Sequence, residues 1–398
     1  MGIYLHLFDT NSAFTETYEG TGYTEPWVSY TESSDRVDYN NVLAKPFTIV
    51  SLGSGNVSWN LNEKNILYSK NKGSWATMDS GTSIPVSEGD VIEFKGNNGN
   101  YCGNTISVTT SFNVEGNIMS LLSNDYLGLD TVPSNGFRSL LSGTNVVSAN
   151  NLLLPATTVS ERGYQSLFYS CSDLTSVPKI FANTYNGAFG CAYMFAGCVS
   201  ISEMPELIAT SATGSGVYYG MFSGCTSLSI VHNIALRDFK NTACLGMFSG
   251  SGIKETPEIT MDSVNASSFT HTFANCTNLN KVNFSINLQG STGTYYGMFS
   301  GCTSLEIAPD ILPTTYSDTN PPRYGYMFYG CSKLRYIKCL CESVGYASST
   351  GSFNNWVYGV SETGTIVLNS ANTYTKSYGP SAIPLDSEHK WTIQTVSP

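Results

Sequence analysis

The sequence is poor in charged residues. Only 12% of its 398 residues are Asp, Glu, Lys or Arg, and the formal net charge is −11. The 19 Lys and Arg residues are scattered, whereas a nucleic-acid partner requires clustered cations that neutralise phosphates. No apolar run approaches the roughly 18 residues of a membrane span, and residues 1–10 lack the basic start and apolar stretch of a secretory signal. We therefore expect no nucleic-acid partner, no membrane span and no export signal.

Groupings of catalytic residues are scarce as well. The four histidines are His6, His232, His271 and His389. They lie in four different contexts and have no Ser or Cys nucleophile at a spacing that would pair with them. Carboxylates pair in equivalent places of two repeats, as Glu203 with Glu206 and as Glu255 with Glu258. These pairs fit either a cation or acid–base site or, more simply, solvated loops, because other repeats carry different residues there. We expect no enzymatic activity, no cofactor and no metal site.

The sequence does contain a repeated phrase. The phrase, seen most plainly at Met221–Leu228, recurs eight times at intervals of about 26 residues. Its paired residues stand at Leu140-Leu141, Leu167-Phe168, Met194-Phe195, Met221-Phe222, Met247-Phe248, Thr272-Phe273, Met298-Phe299 and Met327-Phe328. A fixed period of this length indicates stacked supersecondary units, which form a solenoid.

Alignment of the copies on the second residue of each pair reveals two further columns. Four residues upstream stand aromatic residues or cysteines, at Phe137, Tyr164, Cys191, Tyr218, Cys244, Phe269, Tyr295 and Tyr324. Three residues downstream stand small residues, at Thr144, Cys171, Cys198, Cys225, Ser251, Cys276, Cys302 and Cys331. With the pair itself, these columns fall at i, i+3, i+4 and i+7, which predicts one buried stripe on a short helix. Apolar residues that then return every two or three places, as in Leu279, Val282 and Phe284, predict a short strand.

The predicted fold class is therefore α+β, a leucine-rich-repeat solenoid with one short helix and one short strand per repeat. We assign residues 119–340 to the solenoid and the segment that caps its start. Residues 44–118 contain short apolar runs between turn signals and predict a small all-β, sandwich-like domain. Residues 1–43 are predicted to form an N-terminal arm. Residues 341–398, where the period stops, are predicted to cap the last repeat.

The 11 cysteines follow the repeat rather than a disulfide framework. Eight of them lie in the two columns, where Ser or Thr replaces the downstream set in other copies. A residue that is interchangeable with Ser and Thr is selected for its size, so we expect buried free thiols. A metal site would need converging ligands, and no His or carboxylate accompanies these cysteines.

Aromatic residues outside the core indicate two contact regions. The arm carries Tyr4, Leu5, Phe8, Tyr18, Tyr23, Trp27 and Tyr30. Such an arm either docks on a partner or neighbouring subunit, or packs on its own next domain. Within the repeats, the candidate recognition surface consists of Tyr193, Tyr219, His271, Tyr296 and Tyr326. These residues fit either a surface that binds glycan or protein, or a structural ladder along the solenoid.

Two stretches of the chain resemble known families. The phrase Met-Phe-x-Gly-Cys-x-x-Leu over residues 137–340 resembles the BspA-type leucine-rich repeat of surface proteins of gut Bacteroidales and of phages that infect them. This family includes adhesins, surface lipoproteins and virion proteins. The stretches Ile3–Thr10, Glu25–Tyr30 and Arg36–Tyr39 resemble the N-terminal arm of virion proteins of crAss-like and related phages. A virion protein made in the host cytoplasm and released by lysis needs no export signal, which favours the phage interpretation.

The resemblances imply a non-enzymatic phage structural protein, either a head or tail fibre or a decoration protein. Its arm would bind capsid or tail proteins, and its solenoid would bind a glycan or protein on the host surface. Fibre proteins of this kind are often trimers, so a homotrimer is one expectation for the assembly. The alternative is a bacterial cell-surface adhesin of the same repeat family, with an export signal that the sequence does not reveal.

Overall fold

A computed structural model of the protein describes residues 44–60, 65–209, 211–236, 240–261, 267–286, 295–312, 324–341, 353–370 and 390–397. Ahead of the repeats the strands are β1 (Phe47–Ser51), β2 (Gly55–Asn60), β3 (Ile66–Lys70), β4 (Ala76–Thr77), β5 (Ser83–Val86), β6 (Val91–Gly96), β7 (Thr105–Val108) and β8 (Phe112–Asn117). The strands β4, β3, β6, β1 and β8 lie side by side, and β5, β2 and β7 form a second sheet. Alternate residues of β2, β5, β6 and β7 are buried, among them Trp59 of β2 and Phe94 of β6, whose rings lie 5.4 Å apart.

The repeats form the coils of a solenoid whose strands pair in parallel. These strands are β9 (Thr131–Val132), β10 (Val146–Leu154), β11 (Thr158–Val159), β12 (Lys179–Ile180), β13 (Thr184–Tyr185), β14 (Ser211–Ala212), β15 (Ile234–Leu236), β16 (Ile259–Met261) and β17 (Tyr336–Cys339). One sheet contains β9, β11, β13 and β14, and β15 pairs with β16. Isolated parallel bridges, such as Glu255 with Lys281, link further coils.

The predicted helix in each repeat is wrong, and the protein is a β-solenoid rather than an α+β fold. In the part of the chain that the structure describes, the helical elements are two short 3-10 segments, Ile118–Leu121 and Tyr126–Gly128, both outside the repeated phrase. The phrase forms consecutive turns whose backbone hydrogen bonds alternate in direction. Met194 N donates to Cys191 O within its own coil, whereas Phe195 N donates to Met221 O of the next coil. An α-helix would keep both bonds within one segment.

A left-handed residue at every fourth position prevents the phrase from closing into a helix. In the third coil these residues are Phe189, Tyr193 and Gly197, with φ of 62°, 56° and 76°. A positive φ interrupts the right-handed run, so the amides alternate between their own coil and the next one. The four-residue spacing still puts Cys191 and Cys198 on one buried stripe. A helix and this chain of turns therefore share the same burial pattern.

The buried stripe continues from coil to coil as stacked rings. At the second position of the pair, ring centroids lie 5.5–5.7 Å apart with interplanar angles of 4–13°, at Phe168, Phe195, Phe222, Phe248, Phe273, Phe299 and Phe328. The upstream column also stacks, for example Tyr295 on Tyr324 at 5.9 Å. Where Cys191 interrupts that column, Tyr185 of β13 fills the space with its hydroxyl 3.4 Å from Cys191 Sγ. Buried stacked rings stabilise the interface between neighbouring coils.

The ends of the solenoid continue into other strands. At its start, β8 pairs in parallel with β10, and Tyr101 stacks on Phe137 of the first coil at 6.3 Å. At its end, β17 pairs in parallel with β18 (Thr363–Asn369), which pairs in parallel with β19 (Lys390–Val396). Residues 353–360 form a ninth coil of the same turn type, because Phe328 N donates to Trp356 O and Trp356 is buried.

Candidate functional site

The structure describes one of the two predicted contact regions. The arm residues Tyr4, Leu5, Phe8, Tyr18, Tyr23, Trp27 and Tyr30 lie outside the described residues, so their role stays a prediction. The candidate recognition residues are all described and all lie in the coils. They occupy the positions three before or two before the second residue of each pair, beside the buried stripe. We call the surface formed by these two positions and the position one after the second residue, in coils two to nine, the turn face.

The turn face is uncharged. From Gln165 in the second coil to Tyr358 in the ninth, none of its positions holds Asp, Glu, Lys or Arg. Its residues are tyrosines, one histidine, one leucine, glycines and small or polar side chains. A partner therefore meets aromatic rings and neutral hydrogen-bonding groups there.

The structure brings three of the candidate residues together with two tyrosines that the sequence analysis missed. We call this set the ridge: His271, Tyr296, Tyr326, Tyr329 and Tyr358. Its ring centroids follow one another at 5.5, 5.3, 5.5 and 5.2 Å across coils six to nine. The exposed fractions of Tyr296, Tyr329 and Tyr358 are 36%, 38% and 49%. The ridge is thus a continuous series of rings with open surface.

The other two candidate residues form a separate cluster on coils three and four. Tyr193 lies 5.0 Å from Tyr219, and Tyr219 lies 6.3 Å from Phe189. The Arg162 guanidinium lies over Phe189 at 5.8 Å. Tyr193 and Tyr219 are half-buried, and burial together with the Tyr219 contact raises the pKa of Tyr193 above its usual value. These rings mainly cover one another.

Glycines in the next coil make room for these rings. A Cβ added to Gly220 would lie 2.6 Å from Cε1 of Tyr193, and one added to Gly297 would lie 2.3 Å from Cε1 of His271. Both glycines have positive φ, 57° and 58°. The coils that follow Tyr193 and His271 therefore carry glycine at this position, which leaves room for the ring against the backbone.

Charged residues lie instead on the strand side of the coils, where they pair between neighbours. Glu255 binds Lys281 at 2.8 Å, and these contacts recur as Glu306 with Arg335, Asp310 with Lys338, and Glu203 with His232. Hydrogen bonds from Lys281 and Asn283 lower the pKa of Glu255 below its usual value. Asn233 contacts Glu258 at 3.4 Å. Among the described residues, no group of three or more His, Cys, Asp or Glu side chains converges on a point.

The downstream cysteines form a hydrogen-bonded column inside the coils. Cys198 Sγ donates to Phe168 O at 3.0 Å and Cys225 Sγ to Phe195 O at 3.1 Å, and the contact recurs at Cys171, Cys276, Cys302 and Cys331. Burial raises the pKa of Cys225 to about 12 and that of Cys276 to about 11. All 11 cysteines are free, and Cys102 alone is exposed. The prediction of buried thiols is confirmed.

Comparison with known proteins yields one structural likeness. A scan against protein-family models finds no match, and neither does a search of curated proteins. Among solved structures, the chain is similar to a leucine-rich cell surface protein from Faecalibacterium prausnitzii A2-165, with 13% sequence identity. The likeness covers 60% of this chain and 80% of that chain, with a TM-score of 0.18. Because this score is low, the solenoid is assigned from the hydrogen bonds between coils and not from the likeness.

The described residues include no helix that is long and apolar enough to cross a membrane.

The residues missed by the sequence analysis had a signal in the repeat itself. Tyr329-Gly330 and Tyr358-Gly359 occupy the same two positions in coils eight and nine, and both glycines have positive φ. The ninth coil escaped detection because Trp356-Val357 replaces the usual Met-Phe pair.

Proposed function

We propose that the chain is a non-enzymatic, surface-binding structural protein of a phage, either a fibre or a decoration protein. In this proposal residues 1–43 attach it to the particle, and the turn face of the coils binds the surface of a bacterial host. The observation that carries the binding role is the contrast between the two sides of the coils: the turn face is uncharged and rich in tyrosine, whereas the strand side holds paired charges.

The composition of the turn face supports a contact role. Protein interfaces are enriched in tyrosine and depleted in Lys, Glu and Asp, because charges are costly to desolvate and rigid rings contribute much contact area. The turn face lacks charged residues over eight consecutive coils and carries tyrosine in six of them. The ion pairs on the strand side are exposed to water, where they contribute little energy and remain well solvated.

The environment of the titratable residues supports a non-enzymatic role. Glu203 pairs with His232 of the next coil at 3.0 Å, and Glu255 pairs with Lys281. His271 packs against Tyr296 and over Gly297. Each of these side chains takes part in contacts between neighbouring coils, which accounts for its position without a catalytic role.

The phage assignment is supported by the resemblance of residues 1–43 to virion arms, and a deletion separates it from the adhesin alternative. We would compare the full chain with a variant lacking residues 1–43 during infection, and measure both by mass spectrometry of purified particles. Loss of the variant from particles, with an unchanged thermal unfolding transition, supports anchoring by the arm. Absence of the full chain from particles, together with its display on bacterial cells, would refute the phage assignment in favour of the adhesin.

The binding role has its own test. Fluorescently labelled full chain is mixed with a panel of Bacteroidales cells, and the bound fraction is measured by flow cytometry. We expect saturable binding to at least one strain. A variant with charge on the turn face, Ser223→Lys with Ser300→Lys, should weaken this binding. A strand-side variant with the same added charge, Ile230→Lys with Ile307→Lys, should bind as the wild type does. Binding to no strain, or equal loss in both variants, would contradict the role of the turn face.

A further inference from the structure

We infer that the ridge is a binding site for a neutral glycan. This inference rests on the proposed surface-binding function and adds the class of ligand and the place where it binds. The ligand is identified by three properties of the site: a continuous series of rings of which three are exposed, the absence of charged residues along the turn face, and rings held in place before any ligand arrives.

The ridge has the dimensions of an extended ligand. Its five rings span coils six to nine, and three steps between coils of about 4.8 Å give a length of roughly 15 Å. Successive centroids lie 5.2–5.5 Å apart, so the ring surface has no gap along this length. A chain of sugars can lie along it, with sugar C–H groups against the open parts of the tyrosine rings and sugar hydroxyls toward tyrosine O–H groups.

The charge pattern selects an uncharged ligand. A sulfated or carboxylated glycan would require Lys or Arg beside the rings, because an anion that loses water needs a paired cation. The turn face of coils six to nine offers none, and the chain as a whole carries a net charge of −11. In these coils Lys281, Arg335 and Lys338 pair with carboxylates on the strand side.

The ridge is also ordered in advance. The His271 ring lies over Gly297 and meets Tyr296 edge-on at 90°, and Tyr329 stacks on Tyr358 at 15°. Rings that are fixed by contacts lose little freedom on binding, which favours affinity. The cluster of Phe189, Tyr193 and Tyr219 does not offer the same site, because both of its tyrosines are half-buried and cover each other, whereas three of the four ridge tyrosines are exposed.

Affinity electrophoresis of the full chain tests this site. Native gels contain one neutral polysaccharide each (xylan, mannan, dextran or arabinogalactan) or one acidic one (alginate or heparin). We expect retardation in at least one neutral gel and in neither acidic gel. In the variant Tyr329→Ala with Tyr358→Ala, the dissociation constant should rise roughly tenfold or more. The control Trp75→Ala removes a comparably exposed aromatic ring, 40% exposed, from the domain before the repeats and should leave the dissociation constant unchanged.

A second variant separates the contribution of the rings to binding from that of their hydroxyls, and it distinguishes loss of the rings from misfolding. Tyr329→Phe with Tyr358→Phe keeps both rings, so its dissociation constant should stay within about threefold of the wild-type value. Retardation by acidic polysaccharides alone, equal retardation of the wild type and the alanine variant, or no retardation in any gel would overturn the glycan assignment. A loss in the phenylalanine variant as large as in the alanine variant would overturn the stacking argument.

Treated cells distinguish failure of this inference from failure of the proposed function. Periodate cleaves the vicinal diols of sugars, whereas protease removes surface proteins. If periodate abolishes binding of the labelled chain and protease preserves it, the result supports the glycan site. If protease abolishes binding and periodate preserves it, the result would overturn the glycan site while leaving the surface-binding function intact. Absence of binding to untreated cells would refute both.

Discussion

Replacement of Phe222 by alanine measures how much the stacked rings hold the coils together. Phe222 is fully buried and stacks on Phe195 and on Phe248, each with centroids 5.6 Å away. Removal of a buried phenyl ring lowers the free energy of unfolding by about 3–5 kcal/mol. Phe168 is equally buried and stacks on Phe195, but the preceding coil places Leu141 at this position. A stacked pair contributes about 0.5–1.5 kcal/mol, so Phe222→Ala should cost more than Phe168→Ala by about that amount.

The assay is equilibrium unfolding in urea, followed by far-UV circular dichroism and intrinsic fluorescence on the full chain. Each coil contacts only its neighbours, so loss of a central interface should also broaden or split the transition. Phe222→Leu is the conservative control, because leucine occupies this position in the first coil, and it should cost less than about 1.5 kcal/mol. Equal costs for the two alanine variants, or a larger cost for Phe168→Ala, would refute the reasoning that stacked neighbours stabilise each coil.

Three further predictions concern backbone strain and pH. Gly220→Ala should destabilise the protein by about 1–3 kcal/mol more than Gly246→Ala, because both residues have positive φ but only at Gly220 would the added Cβ lie 2.6 Å from a ring carbon, Cε1 of Tyr193. Urea unfolding of both variants, and of Gly220→Ala with Tyr193→Ala, measures the clash. Hydrogen bonds from Asn71, Lys70 and the Ser87 amide hold the pKa of Asp90 well below its usual 3.8. These bonds therefore stabilise the fold fully above pH 3.8, and their contribution is lost as the pH falls below it. Asp90→Asn should flatten the acid side of the plot of unfolding free energy against pH. Burial raises the pKa of Cys225 from the usual 9.0 to about 12, so folding favours the protonated thiol and stability falls as the pH rises above 9.0. The unfolding midpoint of Cys225→Ser should therefore decline less steeply than that of the wild type between pH 8 and pH 10. An unchanged slope would contradict the buried thiol.

The sequence predicts which residues are buried better than it predicts the backbone that buries them. The columns predict burial correctly in the fourth coil, at Tyr218, Met221, Phe222 and Cys225. Positions that contact the core need apolar side chains, so burial is visible in the sequence. The helix prediction fails because a spacing of i, i+3, i+4 and i+7 belongs equally to a helix and to turns of four residues. The glycine two residues after the pair, Gly224 in the fourth coil, is the available signal against a helix. Glycine destabilises a helix interior but adopts positive φ readily.

The candidate site was only partly predictable for a related reason. Tyr296 and Tyr326 were identified from their places beside the buried columns, but Tyr329 and Tyr358 were not. The ninth coil, which carries Tyr358, replaces the Met-Phe pair by Trp356-Val357 and therefore breaks the sequence pattern while keeping the turns. Pairings on the strand side, such as Asp310 with Lys338, depend on coils of unequal length and need the register that coordinates supply.

Alkylation of the native chain under non-reducing conditions tests the central claim, stacked coils with a protonated sulfur column inside. The full chain is treated with iodoacetamide at neutral pH, and adducts are counted by intact-mass spectrometry before and after unfolding in urea. Because ten of the 11 thiols are buried and Cys102 is exposed, we expect one adduct on the folded chain and 11 after unfolding. Several adducts on the folded chain would contradict the coil interior, and fewer than 11 after unfolding without reductant would contradict free thiols.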